Sequence, residues 1–302
     1  MAWQMAGISL EKPMEVNLDR DIKNYIKTMP SLPTSLTKVL EICNNPHTSP
    51  ADLNHVISLD PVLVGRVLKL INSAYYGLSQ PVTSLARAII MLGINTVKNL
   101  ALSTTVMGQL SSKNAATGLN MEGFWRHSLG VGVSAKLLAK MRGIDTKLTE
   151  EYFTAGLLHD IGKIPLNAIL SKEYFLTISS ADKMRKPLFE IENSTLGLNH
   201  CAAGVLITTA WKIDGAVGDS IMNHHSVSEY EGNFKDIVYS VALANQFATS
   251  SMIGFSGDCH PKPNPPGIWE ALNVSRDVFL EIEETVNKEI EKAEVFLKIN
   301  HL

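Results

Sequence analysis

The sequence has little of what would commit it to an oxidising compartment, a membrane or a nucleic acid. Its 302 residues hold three cysteines, Cys43, Cys201 and Cys259, which are far apart and form no CxxC pair. That spacing excludes a disulfide scaffold and a zinc-thiolate site, and it argues for a reducing compartment. Neither charge sign dominates: 27 basic residues stand against 30 acidic ones, for a net charge of -3. A nucleic-acid footprint is therefore not expected. No apolar run is long enough to span a membrane. The start, Met1 to Val16, lacks a basic segment and carries Glu11 and Glu15, so no signal peptide is read and a cytoplasmic protein is expected. Strand signals, internal repeats and low-complexity tracts are missing as well.

What is present is helix. The composition, 45% hydrophobic and 19% charged, is that of a globular chain with one large or two modest domains. Ile22, Ile26 and Met29 recur at helical spacing before Pro30, and Leu36, Val39, Leu40 and Cys43 repeat the rule. Ser49-Pro50-Ala51-Asp52 sets a capping serine before a proline at the first helical position, with an acid in the first turn. Asp60-Pro61 repeats the device, for a helix closed by Gly77. Thr83 or Ser84 caps another, closed by Gly93, and one more runs from Ile94 to about Leu110. Further helices are expected over Phe124 to Met141, Thr149 to His159, Phe189 to Leu198, Cys201 to Trp211, Val217 to Asn223 and Ile237 to Ser250. The last runs from about Ser275 to Ile299, with Phe279, Ile282, Val286, Ile290, Ala293 and Leu297 on its buried stripe.

The fold class is all-α, a compact multi-helix bundle. The polar stretch Ser111 to Asn120 is either a boundary or a loop within one fold. The division read from it is an N-terminal extension over 1–16, an N-terminal helical subdomain over 17–115, and a subdomain over 116–302 that ends in the C-terminal helix. Residues 254–267, with four prolines and three glycines, interrupt the helices and read as a surface excursion in preference to a lid.

The chemistry gathers on Gly156-Leu157-Leu158-His159-Asp160-Ile161-Gly162-Lys163. Imidazole and carboxylate side by side suit a divalent metal, and one carboxylate has two oxygens with which to bridge two ions. His127, His200, the pair His224-His225 and Asn245 lie on or at the ends of separate expected helices, and a bundle can bring such positions to one point. The alternative for His159 and Asp160 is a buried ion pair or helix cap. Paired histidines can simply stack, Asn245 reads equally as an ordinary buried amide, and Lys163 as a surface lysine. His47, His55, His260 and His301 are taken as ordinary histidines, and Arg66 and Lys69 as the wet side of their helix.

These residues resemble the HD superfamily of metal-dependent phosphohydrolases. The helical pattern is more similar to one of its branches, the HDOD domain proteins of bacterial signalling. The stretches that carry the likeness are Leu32-Pro33, Asp60-Pro61-Val62-Leu63, Leu70-Ile71-Asn72-Ser73-Ala74-Tyr75-Tyr76-Gly77 and Ala88-Ile89-Ile90-Met91-Leu92-Gly93. Phe124-Trp125-Arg126-His127-Ser128 and the His159-Asp160 motif complete the set, and the likeness covers about residues 20–250. It implies an HD-type bundle with an N-terminal helical subdomain. It also implies one or two divalent ions, from among iron, manganese, zinc, nickel and cobalt. Asp160, His200, His224 and His225 would hold one ion, and His127, His159 and Asp160 the other. Asn245 stands where the family closes that second site with an aspartate, so the second ion should bind less well.

Two functions follow from the resemblance. The first is a regulatory, signal-transducing module with a partly retained metal centre and a signalling protein as partner. The second is a metal-dependent phosphohydrolase on a nucleotide or cyclic nucleotide, with Asp160 as bridging ligand and Lys163 as a point charge toward phosphate. The acidic, Gly-Tyr-Pro segment that the cyclic-di-GMP phosphodiesterase branch carries after its paired histidines is missing from Ser226 to Gly232, which counts against that substrate.

Overall fold

The computed structural model describes residues 18–111 and 118–299. The expected extension over 1–16, His301 and the polar residues 112–117 lie outside the described residues. Among the described residues the regular structure is helical, with no strand.

The first helices follow their local chemistry. α1 (Leu18–Thr28) buries Leu18, Ile22 and Ile26 on one stripe, and α2 (Thr34–Cys43) buries Leu36 and Val39. α3 (Pro50–Ser58) begins with a capping box: Ser49 Oγ accepts the Asp52 N–H, and the Asp52 carboxylate accepts the Ser49 N–H. At α4 (Pro61–Ile71), Asp60 accepts the Leu63 N–H with one oxygen and the Ser35 hydroxyl with the other. α5 (Leu85–Leu92) runs from Ser84 to Gly93, whose φ of +89° turns the chain sharply into α6 (Ile94–Ser111). Gly77 does not close α4. The helix stops at Ile71, and the Asn72 side chain then bonds both the N–H and the carbonyl of Val82, at 2.7 and 2.8 Å. That amide brings the intervening loop back to the helix end.

The second half comprises α7 (Met121–Met141), α8 (Thr149–Leu158), α9 (Lys163–Ile169), α10 (Ser171–Met184), α11 (Leu188–Leu196), α12 (His200–Trp211), α13 (Gly215–Asn223) and α14 (Lys235–Ser250). α15 (Gly267–Leu272), α16 (Val278–Ala293) and α17 (Val295–Lys298) end the chain. The periodicity gave no sign of α9, α10 or α15. The expected single terminal helix is interrupted at Glu294, so Phe296 takes the buried place assigned to Leu297.

α7 is the central rod, packed against α8, α14 and α16, while α6 and α13 cover α8. At Gly132 and Gly156 the backbones of α7 and α8 meet, and a Cβ on Gly156 would fall 2.8 Å from the Gly132 backbone. One hydrophobic cluster runs through both halves, with α1 lying on α9 and α12 and α6 on α8. A buried ion pair also joins them. Lys136 Nζ of α7 sits 2.5 Å from Glu150 Oε2 of α8, 3.1 Å from the Tyr75 hydroxyl and 4.4 Å above the Tyr75 ring. Among the described residues no single helix is long and apolar enough to cross a membrane.

Candidate metal centre

Five helices deliver one side chain or more to a single point. His127 lies two turns into α7, whose start is held by Asn120 accepting the Glu122 and Gly123 N–H groups. His159 ends α8 and Asp160 follows in the turn to α9. His200 opens α12 behind the Asn199 cap, His224 and His225 follow the last turn of α13, and Asn245 sits within α14. Gly162 sets the approach: a Cβ there would overlap the His200 carbonyl and the Gly204 amide, so the α8–α9 turn touches the start of α12 backbone to backbone.

Asp160 is the hub and is wholly buried. Its Oδ1 lies 3.3 Å from His200 Nε2 and 3.6 Å from His224 Nε2, and its Oδ2 lies 3.3 Å from His159 Nε2. Asp160, His200, His224 and His225 can each present one donor atom within 4.8 Å of the others, and so can His127, His159 and Asp160. The ring orientations are set from behind. His159 Nδ1–H donates to the Gly156 carbonyl at 2.7 Å and His224 Nδ1–H to the Ser220 carbonyl at 2.9 Å, which leaves both Nε2 atoms facing Asp160. His200 Nδ1–H donates to Glu192 Oε2 at 2.6 Å, and the same oxygen takes the His200 backbone N–H at 2.9 Å. The other Glu192 oxygen accepts the Tyr174 hydroxyl at 2.7 Å. A carboxylate behind a ligating imidazole is the usual outer support of a metal site.

Two buried polar atoms at the hub, Asp160 Oδ1 and His159 Nε2, have no hydrogen-bond partner. Orphaned atoms of this kind normally carry a considerable cost, which a bound cation removes. The unpartnered Asp160 Oδ1 thus fits a divalent ion on its side, while His159 Nε2 is an unpartnered atom on the Oδ2 side. The Oδ2 side differs. Lys163, only 2% exposed, places Nζ 2.7 Å from Asp160 Oδ2 and 3.1 Å from Ser256 Oγ. His127 Nε2 is engaged by the Asn245 side chain at 3.0 Å. Lys163 therefore lies inside the cluster, on the carboxylate, instead of at the surface.

The charge states follow the same geometry. Burial, with His159 alongside, pushes His127 down to about 3, and burial also lowers His159, so both rings are neutral. Burial opposes charge on His200 too, but the Glu192 carboxylate carries it up to about 10. His224 rises to about 9 against the same opposition, through the neighbouring Cys201 sulfur and Asp160. Asp160 stays ionised despite its burial because the Lys163 ammonium on its Oδ2 holds it well below the carboxylate range.

The Pro/Gly stretch 254–267 is more than a surface excursion. Ser256 reaches Lys163, and Pro261 to Pro265 line a cavity of about 40 Å³ beside His224, His225 and Asn245. Asn264 fastens it to α14, donating its N–H to Gln246 Oε1 at 3.1 Å and its amide to Gln246 Oε1 and the Ala242 carbonyl at 2.8 and 3.0 Å. His260 points to Asp182, away from the cluster. Glu192, Tyr174 and Ser256 were not found by sequence reasoning. Only Glu192 carried a signal, an acid on the helix just before His200.

A model of the HDOD domain matches residues 29–227. A Treponema pallidum (strain Nichols) protein of uncharacterized function is 25% identical over 228 residues. The match covers 76% of this chain and 44% of that protein, so the chain spans less than half of its relative's length. A Geobacter sulfurreducens HDOD domain protein superposes with a TM-score of 0.73 at 24% identity, covering 92% of this chain and 97% of that one. A candidate signal transduction protein from Marinobacter aquaeolei VT8 gives 0.72 at 20% identity, over 94% and 66% of the two chains. A candidate phosphohydrolase from Shewanella amazonensis SB2B gives 0.62 at 22% identity, over 93% and 97%. At these identities the structural likenesses speak for the fold alone. Because the domain model spans well over half the chain, the chain belongs to the HDOD family.

Proposed function

We propose that this chain is a regulatory HDOD protein whose centre holds a single divalent ion at Asp160, His200, His224 and His225. The observation that carries this reading is the Lys163 ammonium on Asp160 Oδ2. A bridging carboxylate needs both oxygens, and here one is already neutralised by a buried cation. The amide of Asn245 on His127 points the same way, being a weaker and uncharged donor at the second position. When bound, the ion would supply a positive charge that ties α8, α12 and α13 together. The space beside the paired histidines, about 40 Å³, is far below the roughly 300 Å³ at which small-molecule sites begin, which favours a structural or sensing role. A signalling protein docked on the helical surface would read that state.

Elemental analysis of the purified protein after supplementation with iron, manganese or zinc tests the reading. One ion per chain is expected, with a second appearing in Asn245→Asp. Two ions in the unaltered protein, or none, would overturn it.

A metal-dependent phosphohydrolase on a nucleotide or cyclic nucleotide is the second reading. The complete donor set on the His200 side favours it. A hydrolysis screen with manganese, iron or nickel, controlled by Asp160→Ala, separates the two. Turnover lost in that variant supports the enzyme, and unchanged turnover indicates contamination.

A further inference from the structure

Three of the four residues that would hold the ion are fixed by hydrogen bonds. His200 is held by Glu192, His224 by the Ser220 carbonyl and Asp160 by Lys163. His225 is the exception. It is half-buried, and among the described residues its ring has no hydrogen-bond partner. What lies flat against it is the Phe189 ring, with centroids 4.5 Å apart and planes 12° from parallel. The His200 and His224 rings meet His225 at 78° and 47° instead. A stacked ring fixes the plane of an imidazole and leaves both of its nitrogens free.

Phe189 is placed for this by the helix that also backs His200. It is the second residue of α11, three before Glu192, and residues three apart on a helix share a face. The start of α11 is pinned in turn. Leu188 is fully buried and donates its N–H to Asp258 Oδ2 at 3.3 Å. Lys262, from the same Pro/Gly stretch as Asp258, sets its ammonium 5.7 Å from the centre of the Phe189 ring.

We propose that Phe189 is a positioning residue for the ion, holding the plane of His225 as Glu192 holds that of His200. The inference rests on the ion being seated at Asp160, His200, His224 and His225. It adds that one face of α11 orients two of those ligands by different means, a hydrogen bond and a stack. An aliphatic side chain would fill the space without fixing the plane, so the role belongs to the flat ring and not to its volume.

Cobalt(II) is titrated into the metal-free full-length chain against a chromophoric chelator, and its visible absorption bands are recorded. One ion per chain is expected in the unaltered protein. Phe189→Leu and Phe189→Met should weaken binding about tenfold, a loss of about 1.4 kcal/mol, and should alter the bands. Phe189→Tyr keeps the flat ring and should restore both affinity and bands. In a His225→Ala background, Phe189→Leu should have no further effect. Circular dichroism confirms that each variant is folded. Three results would overturn the proposal and leave the single-ion site standing: unchanged affinity in the folded Leu and Met variants, a loss in the Tyr variant equal to that in Leu, or the same loss once His225 is gone. An unaltered chain that takes up no cobalt would overturn both.

Discussion

On one side of Asp160, two imidazoles aim Nε2 at an oxygen that has no hydrogen bond, and one of them is backed by a buried glutamate. On the other side, the same carboxylate meets an ammonium, and the nearest additional histidine meets an amide. The two sides are a few ångströms apart, and both are built from histidine and aspartate. What separates them is where the balancing positive charge comes from. The His127 side carries a fixed cation in Lys163, whereas the His200 side carries protons on two imidazoles, which an incoming ion can displace. A histidine count would rate the sides as similar, yet the partner of each Asp160 oxygen distinguishes them.

The largest effect that tests this contrast comes from removing the hub. Asp160→Ala should abolish metal binding and lower stability by about 3–5 kcal/mol, because Lys163 is left buried without a counter-charge. Metal content and chemical denaturation measure the two losses. A variant that still retained an ion would place the site elsewhere.

The next effect concerns protons. In the metal-free chain His200 and His224 titrate near 10 and 9, so both are charged at pH 7. Folded-state values raised above the ordinary 6.5 stabilise the fold fully below about pH 6.5, and that contribution fades as pH rises through 9 and 10. An ion needs the neutral rings, so its binding at pH 7 should expel up to two protons. Affinity should climb by up to about a hundredfold per pH unit below pH 9 and about tenfold between 9 and 10, and level off above 10. Calorimetry in buffers of different ionisation enthalpy counts the protons. His127, held near 3, has none to give, so a release of three would undo the contrast.

The smallest effect lies behind the ligands. Glu192→Gln should weaken metal binding about 10–100-fold and reduce the proton release by one, since His200 loses the carboxylate that keeps it charged. Tyr174→Phe, which removes a single bond to the outer oxygen of Glu192, should do less. If the two variants matched, the glutamate would be acting through packing alone.

The elements most legible in the sequence are those governed by neighbours along the chain. Ser49-Pro50, Asp60-Pro61 and Ser84 with Gly93 gave their helices because caps and prolines act within a few residues. The histidines could be grouped from the sequence because they are rare and, His127 apart, sit at helix ends. Lys163 was not, since whether a lysine is solvated or buried on a carboxylate depends on Ser256, which is 93 residues away. Glu192 was hidden among 30 acidic residues, distinguished only by a fold that sets α11 against the start of α12. Asn264 likewise gains its role only once the proline-rich stretch lies along α14. The broken terminal helix was missed because its apolar stripe continues through the interruption at Glu294.

The contact of Gly162 with the start of α12 bears on how this chain can change over time. The distance between the Asp160 and His200 backbones is set by main-chain atoms in touch with one another, as a spacer block would set it. Residues farther out in the helices can be exchanged, and their packing can drift, without widening that gap. A methyl group at position 162, the smallest addition available, would force it open. The centre can thus keep its dimensions through extensive divergence of the surrounding core while tolerating almost nothing at this one position.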